Sequence, residues 1–500
     1  MNLAGPTTTG LLTTRPSLAA LLCLHIAVWT LAACIGASSA NLHHDMTEAY
    51  DWGREFQLGY AKHPPVFAWV AGAWFLVFPR ADWAFYLLSA SSAAGGLAGV
   101  WCLAGRLLPQ PQHTAALLLV ILAPFFSVLA ITFNGNAILL LTWPWTAYAF
   151  VRSLQTGKAT DGVLFGLIAA VALCSKYSSI LLLASCFAAA VLHPRARSYF
   201  SGPAPYAAIA ACLAGVAPHV LWSFQHGLTT VAYVLDKEHL PLPRALTVAG
   251  TSILAALAQN ALPVAALWAM TGTAFASFIT GLAGELLTPR NRWLTVLAAG
   301  PFVLTVLAAL AGSLTVSTNF LLPTFFIMPI ALLAISGLSM KQQQLALLWR
   351  FVAGWLLAGL ALAPVAAVAA FLTHADAALE PRREIATEAT RLWHEAFGTP
   401  VRIAAGTDAY GLAAPFYSPD APHLLIYDMP GGSPWITTED IAREGVLMIC
   451  VANDPLCLAK AAALATSASE HRTVRLQRRF LGWRSTEVTF ELVMIPPRQP

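Results

Sequence analysis

Long apolar runs, each cut by a short polar stretch, fill the first three quarters of the chain. A helix that crosses a bilayer needs roughly 20 mostly apolar residues. Windows of that length predict about eleven spans, near 16–38, 82–108, 113–131, 136–153, 160–174, 178–193, 205–223, 247–281, 293–313, 320–339 and 345–372. The run at 160–174 is short, and that at 247–281 is long enough to kink at Pro263 or to hide a re-entrant turn. The stretch 64–78, with Trp69 and Trp74, is too short to cross and reads as an interfacial helix with its indoles at headgroup depth. The first apolar run is too long for a signal-peptide core, and Ala37-Ser-Ser-Ala40 is a weak cleavage signal, so a retained first helix is the simpler reading.

After about residue 373 the pattern changes. Helical periodicity over Arg382–Phe397 gives way to apolar runs at Val401–Ala405 and Leu424–Tyr427. A helix at Thr437–Arg443, a strand at Val446–Val451, a helix at Leu456–Ala465 and strands at Thr473–Phe480 and Thr486–Ile495 follow. Strands alternating with helices predict a small α/β domain. The chain thus divides into a transmembrane part, 1–372, and a soluble part, 373–500.

Composition agrees with this division. The chain is 58% hydrophobic and 10% charged, against roughly 25% charged residues in a soluble protein, so most of it must face lipid. A net charge of +4 with no concentrated basic stripe excludes a nucleic-acid binder. With a cytoplasmic N-terminus, the inner loops and span ends hold Arg15, Arg106, Arg152, Lys158, Arg195, Arg197, Arg290, Arg292, Lys341 and Arg350. The outer loops hold only Arg54, Lys62, Arg80, Lys176, Lys237 and Arg244, which obeys the positive-inside rule. An odd number of spans then puts the C-terminal part outside. Six cysteines lie in apolar runs as small hydrophobes; Cys450 and Cys457 lie in the outer domain, and their spacing leaves a disulfide open.

Charge is concentrated in the first outer loop, residues 40–81, which carries His43, His44, Asp45, Glu48, Asp51, Arg54, Glu55, Lys62 and His63. Such a loop is either a solvated linker or a site carried between rigid elements. Asp45 and Glu48 are three apart, so a helix would put both on one face just beyond the first span. A carboxylate there can act as general base or orient a nucleophile. Lys62 and His63 precede Pro64-Pro65, a rigid pair that would aim two cations at one point, as a lipid-linked phosphate requires.

The segment Asp45-Met-Thr-Glu48-Ala-Tyr50-Asp-Trp52, followed by Gly59-Tyr60-Ala-Lys62-His63-Pro64-Pro65-Val-Phe-Ala-Trp69, resembles the first-loop signature of family 39-type glycosyltransferases. These include the protein O-mannosyltransferases and the lipid A aminoarabinose transferases; the Lys-His-Pro-Pro form is similar to that of bacterial members. Asn134-Gly-Asn136 before Leu140-Leu-Thr-Trp143-Pro144-Trp145, then Ser175-Lys176-Tyr177, then Leu221-Trp222-Ser-Phe-Gln225-His226-Gly227 extend the likeness over roughly 40–340. Each motif is weak alone; their order carries the resemblance.

The resemblance implies a polytopic α-helical GT-C fold of about 11–13 transmembrane helices. It also implies transfer of a sugar from a polyprenyl-phosphate donor to an envelope acceptor on the periplasmic face of a bacterial inner membrane, without a cofactor. Lipid A or lipopolysaccharide fits the Lys-His-Pro-Pro form best as acceptor, with protein acceptors open. The family's acidic residue maps to Asp45, with Glu48 sharing or taking the role. The basic residue before Pro-Pro maps to His63, with Lys62 adjacent. Tyr60, Arg54, Lys176, Gln225 and His226 complete the expected substrate-facing set. Lys176 otherwise reads as a snorkelling lysine, Asn134 and Asn136 as helix caps, and Asp236-Lys237-Glu238-His239 as a solvated loop. His43 and His44 beside Asp45 suggest a metal, but consecutive residues seldom face one ion, so none is expected. The rival class is a transporter or flippase for a lipid-linked substrate. Its ionisable groups would lie at mid-membrane, whereas here they collect at the outer ends of spans.

Overall fold

The computed structural model describes residues 17–235, 241–311, 318–336, 340–429 and 431–498; the run Asp236–His239 and Arg15 lie outside the described residues. In chain order the helices of the apolar part are α1 (Leu18–Gly36), α2 (His44–Glu55), α3 (Val66–Phe75), α4 (Asp82–Leu107), α5 (Gln112–Ile121), α6 (Ile138–Thr156), α7 (Ala159–Ser175), α8 (Ser179–Leu192), α9 (Ala196–Ser201) and α10 (Ala204–Gln225). Then come α11 (Thr229–Leu235), α12 (Leu242–Gln259), α13 (Ala261–Thr271), α14 (Phe275–Leu286), α15 (Arg292–Ala311), α16 (Thr318–Leu321), α17 (Met328–Ser336) and α18 (Gln342–Leu372). Among the described residues, α1, α4, α10 and α18 are long and apolar enough to cross a membrane, and the bent pair α12–α13 makes a fifth candidate.

Several apolar runs are not single helices. The run at 113–131 is helical only to Ile121, where Pro124 begins a 3₁₀ turn and the chain continues irregularly to α6. The run at 247–281 breaks by 45° at Asn260, not at Pro263. Pro263 sits in the first turn of α13, where its missing N–H leaves no intrahelical bond unmade. The run at 320–339 is likewise split between α16, a 3₁₀ turn and α17.

Helices meet where small residues let backbones touch, since lipid supplies no hydrophobic drive between them. On α7, a Cβ at Gly162 would lie 2.1 Å from the Ala204 carbonyl oxygen, and one at Gly166 would lie 2.2 Å from that of Ala208. Helices α2 and α3 cross in the same way. A Cβ on Gly72 of α3 would lie 2.1 Å from the Gly53 carbonyl oxygen of α2. Gly72→Ala must therefore push α2 off α3, and a loss of about 1–3 kcal/mol is expected from overpacking, read as a lower thermal midpoint in detergent. An unchanged midpoint would show that the crossing is slack.

The remaining helices and strands form the C-terminal domain: α19 (Asp376–Leu379), α20 (Arg382–Phe397), β1 (Ile403–Gly406), α21 (Asp408–Tyr417), β2 (His423–Leu424), α22 (Thr438–Glu444), β3 (Val446–Val451), α23 (Pro455–Leu464), β4 (Glu470–Leu476), β5 (Arg479–Phe480), β6 (Trp483–Arg484) and β7 (Val488–Ile495). The sheet order is β2-β1-β3-β7-β4, with β1 parallel to β2 and β3, and β7 antiparallel to β3 and β4. The buried run Val446–Cys450 of β3 fits a central strand covered on both faces. One face packs Ile385, Ala389 and Trp393 of α20 against Leu447 and Ile449. The other packs Cys457 and Ala461 of α23 against Met448 and Cys450. Cys450 and Cys457 are disulfide-bonded. Helix α21 and the β5–β6 hairpin have no counterpart in the sequence pattern, and the predicted strand Thr473–Phe480 is divided between β4 and β5.

The domain is keyed into the segment between α1 and α4. Phe416 of α21 sits among Tyr50, Phe75 and Phe85, with ring centroids 5.3, 5.7 and 5.5 Å away. The Arg80 guanidinium donates to the carbonyls of Pro415, Phe416, Ser418 and Pro419 at 2.8–3.3 Å, filling the open end of α21 as a cation at a helix C-terminus should.

Candidate functional site

Helix α2 starts where the Nδ1 of His43 accepts the amide of Asp45 at 3.2 Å, which satisfies one orphan donor of the first turn. Asp45 and Glu48 are indeed one turn apart on this helix. Their surroundings differ. Asp45 is part-exposed and its Oδ2 accepts from Asn134 Nδ2 at 3.0 Å. Glu48 is nearly buried, and its Oε1 accepts from Lys62 Nζ at 2.6 Å. Burial pushes the Glu48 carboxyl up from the usual range, with Lys62 opposing it. For Lys62, burial favours the neutral amine, but the Glu48 carboxylate outweighs it and keeps the ammonium charged. Lys62 also lies 5.7 Å above the Trp52 ring.

Asn134-Gly-Asn136 has a role that capping alone does not describe. The Asn134 Oδ1 accepts the amides of Asn136 and Ala137, both at 2.9 Å, leaving its NH₂ to hold Asp45. Two residues on, Asn136 Oδ1 accepts from Lys176 Nζ at 2.5 Å. Lys176 ends α7 and lies 4.1 Å above the Phe320 ring. One tripeptide thus holds a carboxylate with its first residue and an ammonium with its third.

Not every expected residue reaches this point. The His63 ring meets the edges of Phe67, Trp52 and Tyr233, at centroid distances of 5.4, 6.3 and 6.5 Å, and so shares Trp52 with Lys62. Tyr60 is a packing residue, fully buried, stacked on Trp52 at 4.9 Å and donating to the Trp52 carbonyl at 2.6 Å. Arg54 turns away, donating to the carbonyls of Ala421 and Pro422 at 2.9 and 3.2 Å. Gln225 is exposed at the end of α10, and His226 stacks on Trp222 while its Nδ1 bonds the Trp222 carbonyl at 2.8 Å. Trp222 itself covers Gly59, where a Cβ would lie 2.3 Å from the indole.

Other residues take their place. His219 bridges the Leu58 carbonyl at 2.7 Å and the Tyr177 hydroxyl at 2.5 Å, tying α10 to the loop. A lone histidine after Pro218 in an apolar helix was the available signal. Gly406, Asp408, Tyr427, Asp428 and Met429 of the C-terminal domain line a cavity of about 60 Å³ with Glu48 and Lys62. No sequence pattern announced that wall, because it is made of residues more than 340 positions away.

His43, His44 and Asp45 bring ligand atoms within 4.8 Å of one another, contrary to the expectation for consecutive residues. The His43 Nδ1 is already committed to the Asp45 amide. The cluster is a geometric candidate for a divalent ion, and no chemical step below depends on one.

Further along α2, Asp51 is fully buried against β2: Oδ1 accepts the Leu424 amide at 3.2 Å and Oδ2 has no partner. Burial pushes its carboxyl up to about 7, against Arg54 and with Glu55 adding, while His423 opposes. His423 itself bonds Glu55 at 2.5 Å. Since the folded pKa lies above the unfolded one, this group favours the docked form at acid pH. That preference is lost as pH rises through about 7, at no more than about 1.4 kcal/mol per pH unit. Thermal midpoints between pH 5 and 8 should fall with rising pH, and Asp51→Asn should flatten the trend; an equally steep profile in the variant would assign it elsewhere.

A model of the family described as dolichyl-phosphate-mannose-protein mannosyltransferase matches residues 62–222. No curated protein matches the chain in sequence. Among solved structures, ArnT from Cupriavidus metallidurans bound to undecaprenyl phosphate superposes with a TM-score of 0.61 at 14% identity, over 95% of this chain and 98% of that one. The same protein in the apo state gives 0.61 at 15% identity with the same coverage. The chain therefore shares the fold of these structures, and its segment 62–222 matches the mannosyltransferase family model.

Proposed function

We propose that the chain transfers a sugar from a polyprenyl-phosphate donor to an envelope glycolipid or glycan, on the periplasmic side of a bacterial inner membrane. The observation that carries this reading is the pairing of two carboxylates with two ammonium groups at one end of the helical part. Asp45 is tied through Asn134-Gly-Asn136 to Lys176, and Glu48 is tied directly to Lys62. The solved relative that binds undecaprenyl phosphate and the mannosyltransferase family match both favour a lipid-phosphate donor.

In this reading Asp45, the more exposed carboxylate, accepts the proton of the acceptor hydroxyl. The acceptor oxygen forms a bond to the sugar anomeric carbon as the bond from that carbon to the phosphate oxygen breaks. The electron pair leaves with the polyprenyl phosphate, beside Lys176 and Lys62. Fixed cations stabilise that growing charge more than they stabilise the less charged ground state. Glu48 keeps Lys62 charged and in place. Purified protein in proteoliposomes with a radiolabelled polyprenyl-phosphate sugar and envelope glycolipid should yield labelled glycolipid. Solute uptake without transfer would instead make the chain a transporter. Mass spectrometry of envelope glycolipids from a deletion strain would identify sugar and acceptor together.

A further inference from the structure

The C-terminal domain carries a small β-hairpin that stands apart from its sheet. Strands β5 and β6 pair antiparallel, Arg479 opposite Arg484 and Phe480 opposite Trp483. The two residues between them, Leu481 and Gly482, both have positive φ, 46° and 89°. Two-residue loops of this kind favour Asn, Asp or Gly, yet the first place holds a leucine, in a conformation that costs a branched apolar side chain energy. That leucine is 73% exposed, and Trp483 beside it is 42% exposed. The apolar tip is thus maintained against local preference and is not used in the protein's own core.

Its position explains what it meets. Phe480 and Trp483 pack against Phe371, at 5.7 and 6.4 Å between ring centroids. Phe371 lies in the last turn of α18, one of the candidate membrane spans, next to the exposed Leu372. At the root of the hairpin, Arg478 donates to the Ser39 carbonyl at 2.9 Å, three residues beyond the end of α1. The hairpin is therefore held at the level where two candidate spans emerge.

The charges complete the picture. Arg479 and Arg484 are directly opposite each other, an arrangement that repels. Among the described residues neither arginine makes an ion pair with an acidic side chain, and both are exposed. An anion between them would turn the repulsion into a binding site. An apolar tip with an indole and flanking arginines is the composition of an interfacial anchor.

We infer that the β5–β6 hairpin seats Leu481 and Trp483 in the outer leaflet and that Arg479 and Arg484 hold the phosphate of an anionic phospholipid. The hairpin thereby fixes the C-terminal domain against the bilayer as well as against the helices. The inference depends on the membrane reading of α1 and α18 and is independent of the sugar-transfer chemistry.

The test uses the full chain in nanodiscs, with Leu481→Cys carrying an environment-sensitive fluorophore and the parent chain labelled in parallel to subtract its native cysteines. Lipids bearing a nitroxide near the headgroup should quench the label, while aqueous iodide should not. Adding phosphatidylglycerol to phosphatidylcholine discs should raise the lipid quenching. Arg479→Glu with Arg484→Glu should abolish that increase, since each arginine near an anionic surface favours the seated state by roughly fivefold. Quenching by iodide but not by lipid would overturn the proposal. So would shielding from both quenchers, which would mean that protein covers the tip. An equal response with and without phosphatidylglycerol, or a gain reproduced by free phosphate in phosphatidylcholine discs, would overturn the lipid-phosphate assignment.

Discussion

Asp45→Asn should lower the initial rate of sugar transfer by about 10²–10⁴-fold, the usual share of a positioned general base. The substitution keeps an oxygen that can accept from Asn134, so the contact at 3.0 Å survives and only basicity is lost. Donor binding, measured by titration of the lipid phosphate, should change little. A split of this kind, rate lost and donor affinity kept, distinguishes a base from a residue that merely shapes the pocket. Transfer at the native rate would remove Asp45 from the reaction and leave Glu48 as the candidate. Asn134→Ala should reproduce part of the defect, because it frees the carboxylate to rotate away from the position that the tripeptide defines.

Lys62→Met should be the most destabilising single change in the loop. It strands the Glu48 carboxylate, only 5% exposed, without its partner at 2.6 Å. Breaking one side of a buried pair costs about 3–5 kcal/mol, while removing both charges is often close to neutral. Lys62→Met combined with Glu48→Gln should therefore recover most of the thermal midpoint lost in the single variant. Transfer should stay low in the double variant, because the departing phosphate has still lost a cation. Full recovery of both stability and transfer would make the pair purely structural.

The residues in these predictions were legible to different degrees. The apolar runs announced most helices, because burial in lipid leaves an unbroken hydrophobic record. Breaks within those runs were announced only in part: a kink or turn was expected in 247–281, but it falls at Asn260 and not at Pro263, and the run 113–131 reads as one span although its helix ends at Ile121. In the loop, the three-residue spacing of Asp45 and Glu48 gave a shared helix face. It could not tell which carboxylate would be covered, since that depends on Lys62 folding back from fourteen positions on. Proximity in sequence did not show that the His63 ring would pack on Phe67 and Trp52. Arg54 was similarly drawn off by carbonyls at 421 and 422 that no local pattern reveals. In the C-terminal part, a continuous apolar run found β3, and a strand-like segment found β7. Helix α21 was obscured by Gly411, by its aromatic residues and by Pro415 within it.

The seat of Phe416 among Tyr50, Phe75 and Phe85 also bears on how the protein is made. Those three rings are synthesised more than 330 residues before Phe416 itself. Arg80 likewise waits for the carbonyls of 415–419, and Asp51 for the amide of Leu424. A ribosome that stops after α18 would release a chain in which the segment between α1 and α4 lacks its closing wall, with several polar groups and an aromatic socket left open. Such a truncated chain should be inert in sugar transfer and sensitive to envelope proteases. Catalytic competence would then be acquired in one step, once the segment after α18 has been made and has closed over the helices that precede it.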